Sequence, residues 1–332
     1  MQDDYERVLC GPEARGLYES NYLKANDPRG SGAFWIKYNL LAPRDRSIPR
    51  FGELWAVVWR GPGQRPMVVK QVVPGSLVQT AADSIRLDLG PASLEPGRAR
   101  GVIEDDGHRV AWDLALTDGD RPLIHFPHPV LYRIGFPKKK LLTPRPRQVF
   151  SGRIEIDDIA VPVERWVGLR GHNWGTEHAH SYAYGNANLW DQPGEWAIDA
   201  FSARILLGRR LSPWLSVGVL RRSRGELRFN APCRWVNRSA KVGFPAWSVT
   251  FERDGATAST RWTLDPEDVA GLRYLHPDGR VSYCYNTKFA RLEVDVRHAG
   301  RQDRRTTSKA ELEFLTPVPI PGIPLHGNDR LE

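Results

Sequence analysis

The sequence predicts an all-β protein built from antiparallel sheets. Short runs rich in Val, Ile, Trp, Tyr and Phe recur along the chain and are separated by Gly, Pro, Asp or Asn, a cadence typical of strands joined by turns. The Asp-Gly pair in "HPDGRVSY" suits a tight hairpin. No long segment has the 3.6-residue period of an amphipathic helix, and neither GxGxxG nor a phosphate-binding loop occurs. An α/β nucleotide-binding fold is therefore disfavoured.

The predicted strands form two sets on either side of a basic, Pro-rich strip near the middle of the chain. The first set is "AFWIKYNLL", "ELWAVVW", "PMVVKQVV", "SIRLDL", "RVAWDLAL" and "QVFSGRIEI". The second is "EWAIDAFSARILL", "WLSVGVLRR", "ELRFN", "STRWTLD", "RVSYCYNTKFARLEVDV" and "KAELEFL". We expect two β-domains of similar length, residues 1–145 and 146–332, that meet near the strip.

The composition is that of a globular protein, with 41% hydrophobic and 26% charged residues in a chain of 332. No apolar run approaches the ~20 residues of a membrane-spanning helix. The start "MQDDYERVLC" lacks the basic and apolar regions of a secretory signal, so we expect a cytoplasmic protein. Its three cysteines, Cys10, Cys233 and Cys284, show no CxxC spacing, which argues against a disulfide framework or a zinc knuckle.

The net charge of +8 is concentrated in the strip "HFPHPVLYRIGFPKKKLLTPRPRQ" and its flanks. From Arg121 to Arg153 there is no Asp or Glu, and the eight Lys and Arg residues of this window equal the whole net charge. A nucleic-acid-binding protein spreads its basic residues over a docking face, so that partner is not expected. Two interpretations stay open: a solvated interdomain linker, or a patch for peripheral membrane contact or an acidic partner, with Lys138, Lys139 and Lys140 interleaved with apolar residues.

The segment "GLRGHNWGTEHAHSYAYGNANLWD", residues 168–191, is unusually dense in functional side chains. In "YAYGNANLW" the period of two places small or apolar residues on one face of a strand. The opposite face carries Tyr182, Tyr184, Asn186, Asn188 and Trp190. Because that face has aromatic rings and amides but no Lys, Glu, Ser or Thr, it indicates a pocket wall or an ordinary amphipathic interface.

Two charged residues share strand faces with apolar neighbours. Asp199 lies between Ala197 and Phe201 on one face of "EWAIDAFSARI", and a buried carboxyl without a cation has a raised pKa and can keep its proton near neutral pH. Lys37 is placed similarly, between Trp35 and Asn39. Each could instead occupy a rim position with its charged group in solvent.

A metal site is not expected. His178 and His180 would point to one side of a strand, and His172 could join them, as in a cupin-like site. Those sites require a Glu shortly after the His-x-His pair, whereas the next acid here is Asp191. A serine hydrolase is disfavoured as well, because no GxSxG occurs.

The motif "GHNWGTEH", together with "YESNYLKANDPRGSGAFWIKYNLL" and "GELWAVVW", resembles the lipocalin-like proteins related to carotenoid 1,2-hydratase (hydroxyneurosporene synthase) and AttH. More distantly, the chain is similar to tocopherol cyclase and to the lipocalin-fold Diels-Alderases. The resemblance runs from about Tyr18 to Leu315 and is strongest at "GHNWG" and "AFWIKY". It implies two lipocalin-like (calycin) β-barrels packed together, with an apolar cavity for an isoprenoid, terpenoid or polyene substrate and with no metal or organic cofactor.

The resemblance implies acid-base chemistry on carbon-carbon double bonds. Hydratases protonate an alkene and capture the cation with water, whereas cyclases capture it internally, so a proton donor, aromatic faces and controlled water are needed. The candidate catalytic residues are Asp199 or Glu177 as the donor and His172 to orient the acid or the water. The candidate substrate-binding residues are Asn173, Trp174, Tyr182, Tyr184, Asn186, Trp190, Trp35 and Tyr38.

One position departs from the hydratase pattern, in which an Asp directly precedes the His-Asn pair. Here that position is Gly171, so the acid must come from elsewhere or the chemistry must need less acid. A pericyclase that templates a polyene cyclisation and a non-catalytic carrier of a hydrophobic ligand are the alternative functions. In a structural interpretation, His172, Asn173 and Trp174 instead clamp the junction of the barrels by satisfying buried backbone groups.

Overall fold

The computed structural model describes residues 6–81, 83–117, 119–223 and 225–327. Within these ranges the secondary structure consists of strands and four short 3-10 turns, with no α-helix. The turns are Gly75–Leu77, Pro129–Tyr132, Pro232–Arg234 and Pro266–Asp268. The predicted all-β class is confirmed. In the described part of the chain, no helix has the length and apolar character to cross a membrane.

The first sheet contains twelve strands. They are β1 (Leu17–Asn26), β2 (Ala33–Ala42), β3 (Phe51–Trp59), β4 (Met67–Val73), β5 (Val78–Thr80), β6 (Leu87–Leu89), β7 (Ala92–Glu95), β8 (Arg98–Asp105), β9 (His108–Thr117), β10 (Leu123–Ile124), β11 (Lys139–Ile156) and β12 (Ile159–Gly175). Eleven follow the path β4-β3-β2-β1-β12-β11-β9-β8-β7-β6-β5, with β10 paired to β11. All pairs are antiparallel, and the path curls into a nearly closed barrel.

The remaining strands are β13 (Ser181–Ala187), β14 (Ala197–Arg204), β15 (Leu206–Leu207), β16 (Arg210–Leu211), β17 (Leu215–Arg222), β18 (Gly225–Phe229), β19 (Lys241–Gly243), β20 (Ala246–Arg253), β21 (Ala256–Thr263), β22 (Ala270–Leu275), β23 (Val281–His298), β24 (Arg301–Thr316) and β25 (Leu325–His326). β15 and β16 form a separate hairpin. The other eleven form the second sheet along β18-β17-β14-β13-β24-β23-β21-β20-β19, with β22 on β23 and β25 parallel to β22. This sheet is not closed, so the expectation of two barrels holds for the first sheet alone.

The basic strip is not a free linker. Its second half is the start of β11, an 18-residue strand, and β10 pairs with that strand. The chain passes from the first sheet to the second between Gly175 and Ser181, after the predicted domain limit at residue 145, which falls within β11. The division into two separate domains stays a prediction.

The period of two sorts the side chains of β2 between two environments. Phe34, Ile36 and Tyr38 point into the core of the first sheet, whereas Trp35 belongs to a cluster that joins the two sheets. β2 is therefore buried on both faces along its whole length. Because the second sheet covers the outer face of the barrel, functional side chains on that face lie between the sheets.

Candidate active site

A cavity of about 410 Å³ lies between the two sheets. The first sheet supplies side chains from β1, β2, β11 and β12, and the second supplies them from β13, β14, β17, β22 and β24. Most of the lining is aromatic or aliphatic, including Phe126, Leu141, Phe201, Val217 and Trp235. Such a pocket, apolar with a few polar groups, suits a hydrophobic small molecule.

Five of the residues predicted from the sequence line this cavity: Trp35, Asn173, Glu177, Tyr182 and Tyr184. Among the described residues the lining does not include the other six, which are Asp199, His172, Trp174, Asn186, Trp190 and Tyr38. The two faces of β13 differ as its sequence pattern predicts. Its small residues pack into the core of the second sheet, where a Cβ at Gly185 would lie 2.7 Å from the Trp262 ring, and its tyrosines face the cavity.

Asp199 is fully buried directly behind the cavity wall. The Tyr184 hydroxyl, which lines the cavity, donates to Asp199 Oδ2 at 3.2 Å. Thr143 Oγ1 donates to the same oxygen, and His125 Nε2 lies 3.0 Å from Oδ1. Asp199 is thus buried, as its apolar sequence neighbours predict, but its surroundings are not purely apolar, because β11, β13 and the residue directly after β10 each bring a polar partner. Asp199 reaches the cavity only through Tyr184.

Burial and the neighbouring Asp199 raise the pKa of Tyr184 well above its ordinary value, so the phenol keeps its proton. Its oxygen is also 3.2 Å from the Tyr22 hydroxyl of β1. Tyr22 occupies the space in front of Gly171, where an added Cβ would lie 2.1 Å from Tyr22 Cζ. The position that carries an Asp in the hydratases therefore faces a phenol here, and the glycine makes room for it.

A second tyrosine-carboxyl pair lies on the same wall. The Tyr182 hydroxyl donates to Glu313 Oε1 of β24, and Asn286 Nδ2 donates to Glu313 Oε2 at 3.1 Å. Glu313 itself lines the cavity. Sequence reasoning missed it, although "KAELEFL" alternates Glu311 and Glu313 with apolar residues and so places both acids on one strand face.

Glu177 lies at the cavity but is held as an ion. Its two oxygens accept from Lys138 Nζ at 2.6 Å and from Arg280 at 3.2 Å. Partial burial acts to raise the pKa of Glu177, but the hydrogen bonds from Lys138 and Arg280 outweigh it and the net shift is downward. A carboxylate held in this way is a poor proton donor, so the geometry disfavours Glu177 as the acid.

His172 and Trp174 are not among the described residues that line the cavity. His172 Nε2 lies 2.8 Å from Glu19 Oε1 of β1, and Glu19 Oε2 accepts from the backbone N–H groups of Leu9 and Cys10. Trp174 packs on the His172 ring, with centroids 4.6 Å apart. These contacts attach the segment before β1 to the barrel. The predicted clamp between the sheets is instead made by Asn188, which donates to backbone carbonyls of both β11 and β12.

The other predicted binding residues have structural partners. Tyr38 lies in the barrel core, where its hydroxyl accepts from Trp112 Nε1 at 2.8 Å. Asn186 donates to the Ile198 carbonyl of the neighbouring strand at 3.0 Å. Trp190 is half-buried and donates to the Trp196 carbonyl at 2.8 Å.

The three consecutive lysines have different environments. Lys138 is exposed and paired with Glu177. Lys139 lines the cavity, with Nζ 4.0 Å from the centroid of the Tyr182 ring, and Lys140 is buried and donates to the Ile134 carbonyl at 2.9 Å. Burial lowers the pKa of both Lys139 and Lys140 to about 8. Peripheral membrane contact through the three lysines stays a prediction.

The histidines do not assemble a metal site. No group of three or more His, Cys, Asp and Glu side chains suited to a metal ion occurs in the described residues. His178 instead stacks on Tyr18 at 4.0 Å between ring centroids and lies 4.8 Å from His276. Burial, followed by the nearby charge of Lys139, lowers the pKa of His178 well below its ordinary value, so this ring is neutral at pH 7.

Comparisons with known proteins support the fold. No family model matches the chain. It is 26% identical to the uncharacterized protein Rv0493c of Mycobacterium tuberculosis H37Rv over 297 residues. The aligned region covers 89% of this chain and 86% of that protein. MT0513 of strain CDC 1551 matches to the same extent.

Among solved structures, the chain is similar to NE1406 of Nitrosomonas europaea, a candidate AttH. The TM-score is 0.53 at 15% identity, covering 93% of this chain and 94% of that one. Kievitone hydratase of Nectria haematococca matches with a TM-score of 0.46 at 9% identity, covering 95% of this chain and 94% of that one. The AttH-like resemblance is confirmed at the level of the fold.

Proposed function

We propose that this protein is a hydratase-like enzyme that adds water to, or cyclises, a carbon-carbon double bond of a hydrophobic isoprenoid or polyene. The observation that carries the proposal is that Tyr182 and Tyr184 both line the cavity and each donates a hydrogen bond to a carboxyl group. Hydration needs a proton delivered at one carbon and a proton removed from water at the other. Two tyrosine-carboxyl pairs on one wall provide both groups.

Tyr184 is the proposed proton donor. The donor state is one in which Asp199 carries a proton and donates it to the phenol oxygen, the reverse of the hydrogen bond in the resting state. The Tyr184 O–H bond then breaks as a C–H bond forms on the alkene, and the Asp199 proton moves to the phenol oxygen, so that no phenolate forms. His125, whose Nε2 lies 3.0 Å from Asp199 Oδ1, returns a proton to Asp199. Asp199 thus keeps the acid role predicted from the sequence, but it acts as the proton source behind a phenol. The aromatic rings of Phe126, Phe201 and Trp235 in the cavity lining would stabilise the cation that forms.

Tyr182 and Glu313 are the proposed acceptor. Water bonds to the cation, and its excess proton passes through the Tyr182 oxygen to Glu313. Residues i and i+2 of a strand are ~6.5–7 Å apart, a separation that lets the two tyrosines serve neighbouring carbons of one substrate. In a cyclase the second double bond captures the cation instead, and the same acceptor removes a proton from carbon. We also propose that the two sheets are two lipocalin-like units.

Turnover in heavy water tests the proposal. We would incubate the purified protein with a panel of isoprenoid alkenes and linear polyenes in D₂O and analyse the products by mass spectrometry. Hydration adds the elements of water together with a solvent deuterium on carbon, and protonation-driven cyclisation adds carbon-bound deuterium to a cyclic isomer. Either product, lost in Tyr184→Phe, supports the proposal.

The alternative functions give different products in the same assay. A cyclic isomer without carbon-bound deuterium identifies a pericyclase, because a concerted cyclisation exchanges no proton. A lipid that is bound tightly and recovered unchanged identifies a carrier. Either result would overturn the acid-base mechanism.

A further inference from the structure

Two lysines in the cavity lining have no acidic partner. Lys37 comes from β2 and Lys139 from the start of β11. Lys37 Nζ lies 4.0 Å from the centroid of the Tyr274 ring and Lys139 Nζ 4.0 Å from that of Tyr182. In the ranges that the structure describes, neither ammonium has a hydrogen bond or a carboxylate oxygen within 4.0 Å, although Lys138 beside them is paired with Glu177.

The other charged groups of the cavity do not balance these two lysines. Glu177 is already shared by Lys138 and Arg280, and the lowered pKa of His178 leaves that ring neutral. Glu313 is the remaining acid of the lining, and both of its oxygens accept hydrogen bonds within the protein. Glu53 of β3 also attracts the Lys37 charge, but it is already paired with Lys70 at 2.7 Å. Within the lining, two cations therefore face one remaining carboxyl group, Glu313.

Burying a cation without a counter-ion is unfavourable. The Lys37 residue is only 6% exposed, and its aromatic neighbour compensates for part of the lost hydration. A bound anion would compensate for much more, since a charge-assisted hydrogen bond is roughly twice as strong as a neutral one. A negatively charged ligand would therefore be stabilised by these two lysines.

The apolar part of the lining lies in a different cluster. Phe126 and Trp235 belong to one cluster, with their ring centroids 6.3 Å apart. Tyr182 and Tyr274, whose rings the two lysines face, belong to the cluster between the sheets. Phe201 packs against both clusters. A ligand that contacts both regions needs a charged end and an apolar body.

We infer that the cavity binds an amphipathic acid, with an anionic head group, such as a carboxylate, held by Lys37 and Lys139 and a hydrophobic chain or ring system against Phe126, Phe201 and Trp235. This inference rests on the proposed function, for which it names the substrate class: an isoprenoid or polyene acid rather than a neutral hydrocarbon. It also gives Lys139 of the basic strip a role inside the protein.

Binding of matched acid and ester probes tests the inference. The fluorescent polyene cis-parinaric acid and its methyl ester have the same apolar chain and differ in charge. We expect the wild-type protein to bind the acid about tenfold or more tightly than the ester, the range for hydrogen bonds to charged groups. The double variant Lys37→Met, Lys139→Met should lose this preference and bind the ester as before.

Lys241→Met, which removes an exposed lysine, is the matched control and should keep the preference for the acid. Equal binding of acid and ester by the wild-type protein overturns the inference, without reliance on any variant. So does a preference that survives in a double variant shown by circular dichroism to be folded, or a lack of binding of both probes.

The D₂O assay separates this inference from the proposed function. Turnover of a neutral alkene by a protein that shows no preference for the acid overturns the inference and leaves the acid-base function standing. The opposite outcome is also possible: the protein prefers the acid through both lysines but incorporates no solvent deuterium into any acid. That result supports the head-group site and counts against catalysis.

Discussion

At the scale of single residues, the polar groups of this cavity act in pairs. Tyr184 covers Asp199, and Tyr182 covers Glu313. In both pairs the phenol lines the cavity, and Asp199 is fully buried while Glu313 is 9% exposed. The phenols keep their protons because burial raises the pKa of Tyr182 and Tyr184 well above the ordinary value. Because neither phenol ionises readily, each can transfer a proton only as its carboxyl partner supplies or accepts one, and phenylalanine would remove the hydroxyl group that makes this relay.

Tyr184→Phe is expected to lower kcat by ~100-fold or more if the phenol transfers the proton. Substrate binding should change little, because the ring remains. The matched control is Tyr38→Phe, which removes a buried, hydrogen-bonded hydroxyl outside the cavity and should affect stability but not kcat. Glu177→Gln should also stay active. Steady-state kinetics checks this, and an active Tyr184→Phe enzyme would place the proton donor elsewhere.

His172 is expected to be structural. His172→Phe leaves Glu19 Oε1 buried without the His172 partner, so the free energy of unfolding should fall by about 1–3 kcal/mol, while kcat stays near the wild-type value. Urea denaturation measures the first quantity and turnover the second. Unchanged stability together with lost turnover would instead put His172 in the reaction.

At the scale of elements, the pairing of β1 with β12 shapes the cavity. Tyr22 lies opposite Gly171 across the two strands, and its ring fills the space where a Cβ at that position would lie. The chain therefore has room at this point for a phenol from β1 or for a side chain from β12, and not for both.

Gly171→Ala should consequently lower the free energy of unfolding by about 1–3 kcal/mol, the usual range for overpacking. Combining it with Tyr22→Ala should recover much of that loss, because the conflict is between these two positions. A double-mutant cycle by urea denaturation gives the coupling energy. Additive effects would contradict the close approach of Tyr22 to Gly171.

At the scale of the whole molecule, the fold buries several ionisable groups between and within its sheets. Burial lowers the pKa of Lys24 from 10.5 to about 8, and Lys139 and Lys140 are shifted to the same value. Lys24 Nζ has no hydrogen-bond partner, and Glu311 lies 4.0 Å away. These shifts make the stability of the protein depend on pH in the alkaline range.

Whether stability rises or falls with pH depends on which state, folded or unfolded, holds more protons. Between pH 8 and 10.5 the unfolded chain keeps these lysines charged while the folded protein has released the protons, so stability rises with pH. Above about pH 9 the buried thiol of Cys10 opposes this, because burial raises its pKa from 9.0 to about 12. We therefore expect the free energy of unfolding to increase from pH 8 to pH 9.

Denaturant unfolding across that interval tests the expectation. Lys24→Met should reduce the slope, since one of the three lysines no longer titrates. The exposed Lys241 provides the control, because Lys241→Met should leave the slope unchanged. A flat profile for the wild-type protein would show that these lysines keep their ordinary pKa values after folding.

The sequence by itself determined the all-β class, the positions of most strands and the cavity-facing side of β13. These properties are local, because the alternation of Tyr182 and Tyr184 with small residues is set by the geometry of a strand. The open second sheet and the passage between sheets after Gly175 depend on which distant strands pair, and no local pattern specifies that.

Only the tertiary structure decided which residues share the site. Asp199 was found from its neighbours in sequence, but its partner His125 lies 74 positions away in a strip without strand periodicity. Glu313, the partner of Tyr182, lies 131 positions from it on β24. Lys139 and Lys140 looked alike in the sequence, yet one faces the cavity and the other the turn before β11. Side-chain partners separated by long stretches of chain are brought together by packing, which is why their roles could not be assigned from the sequence.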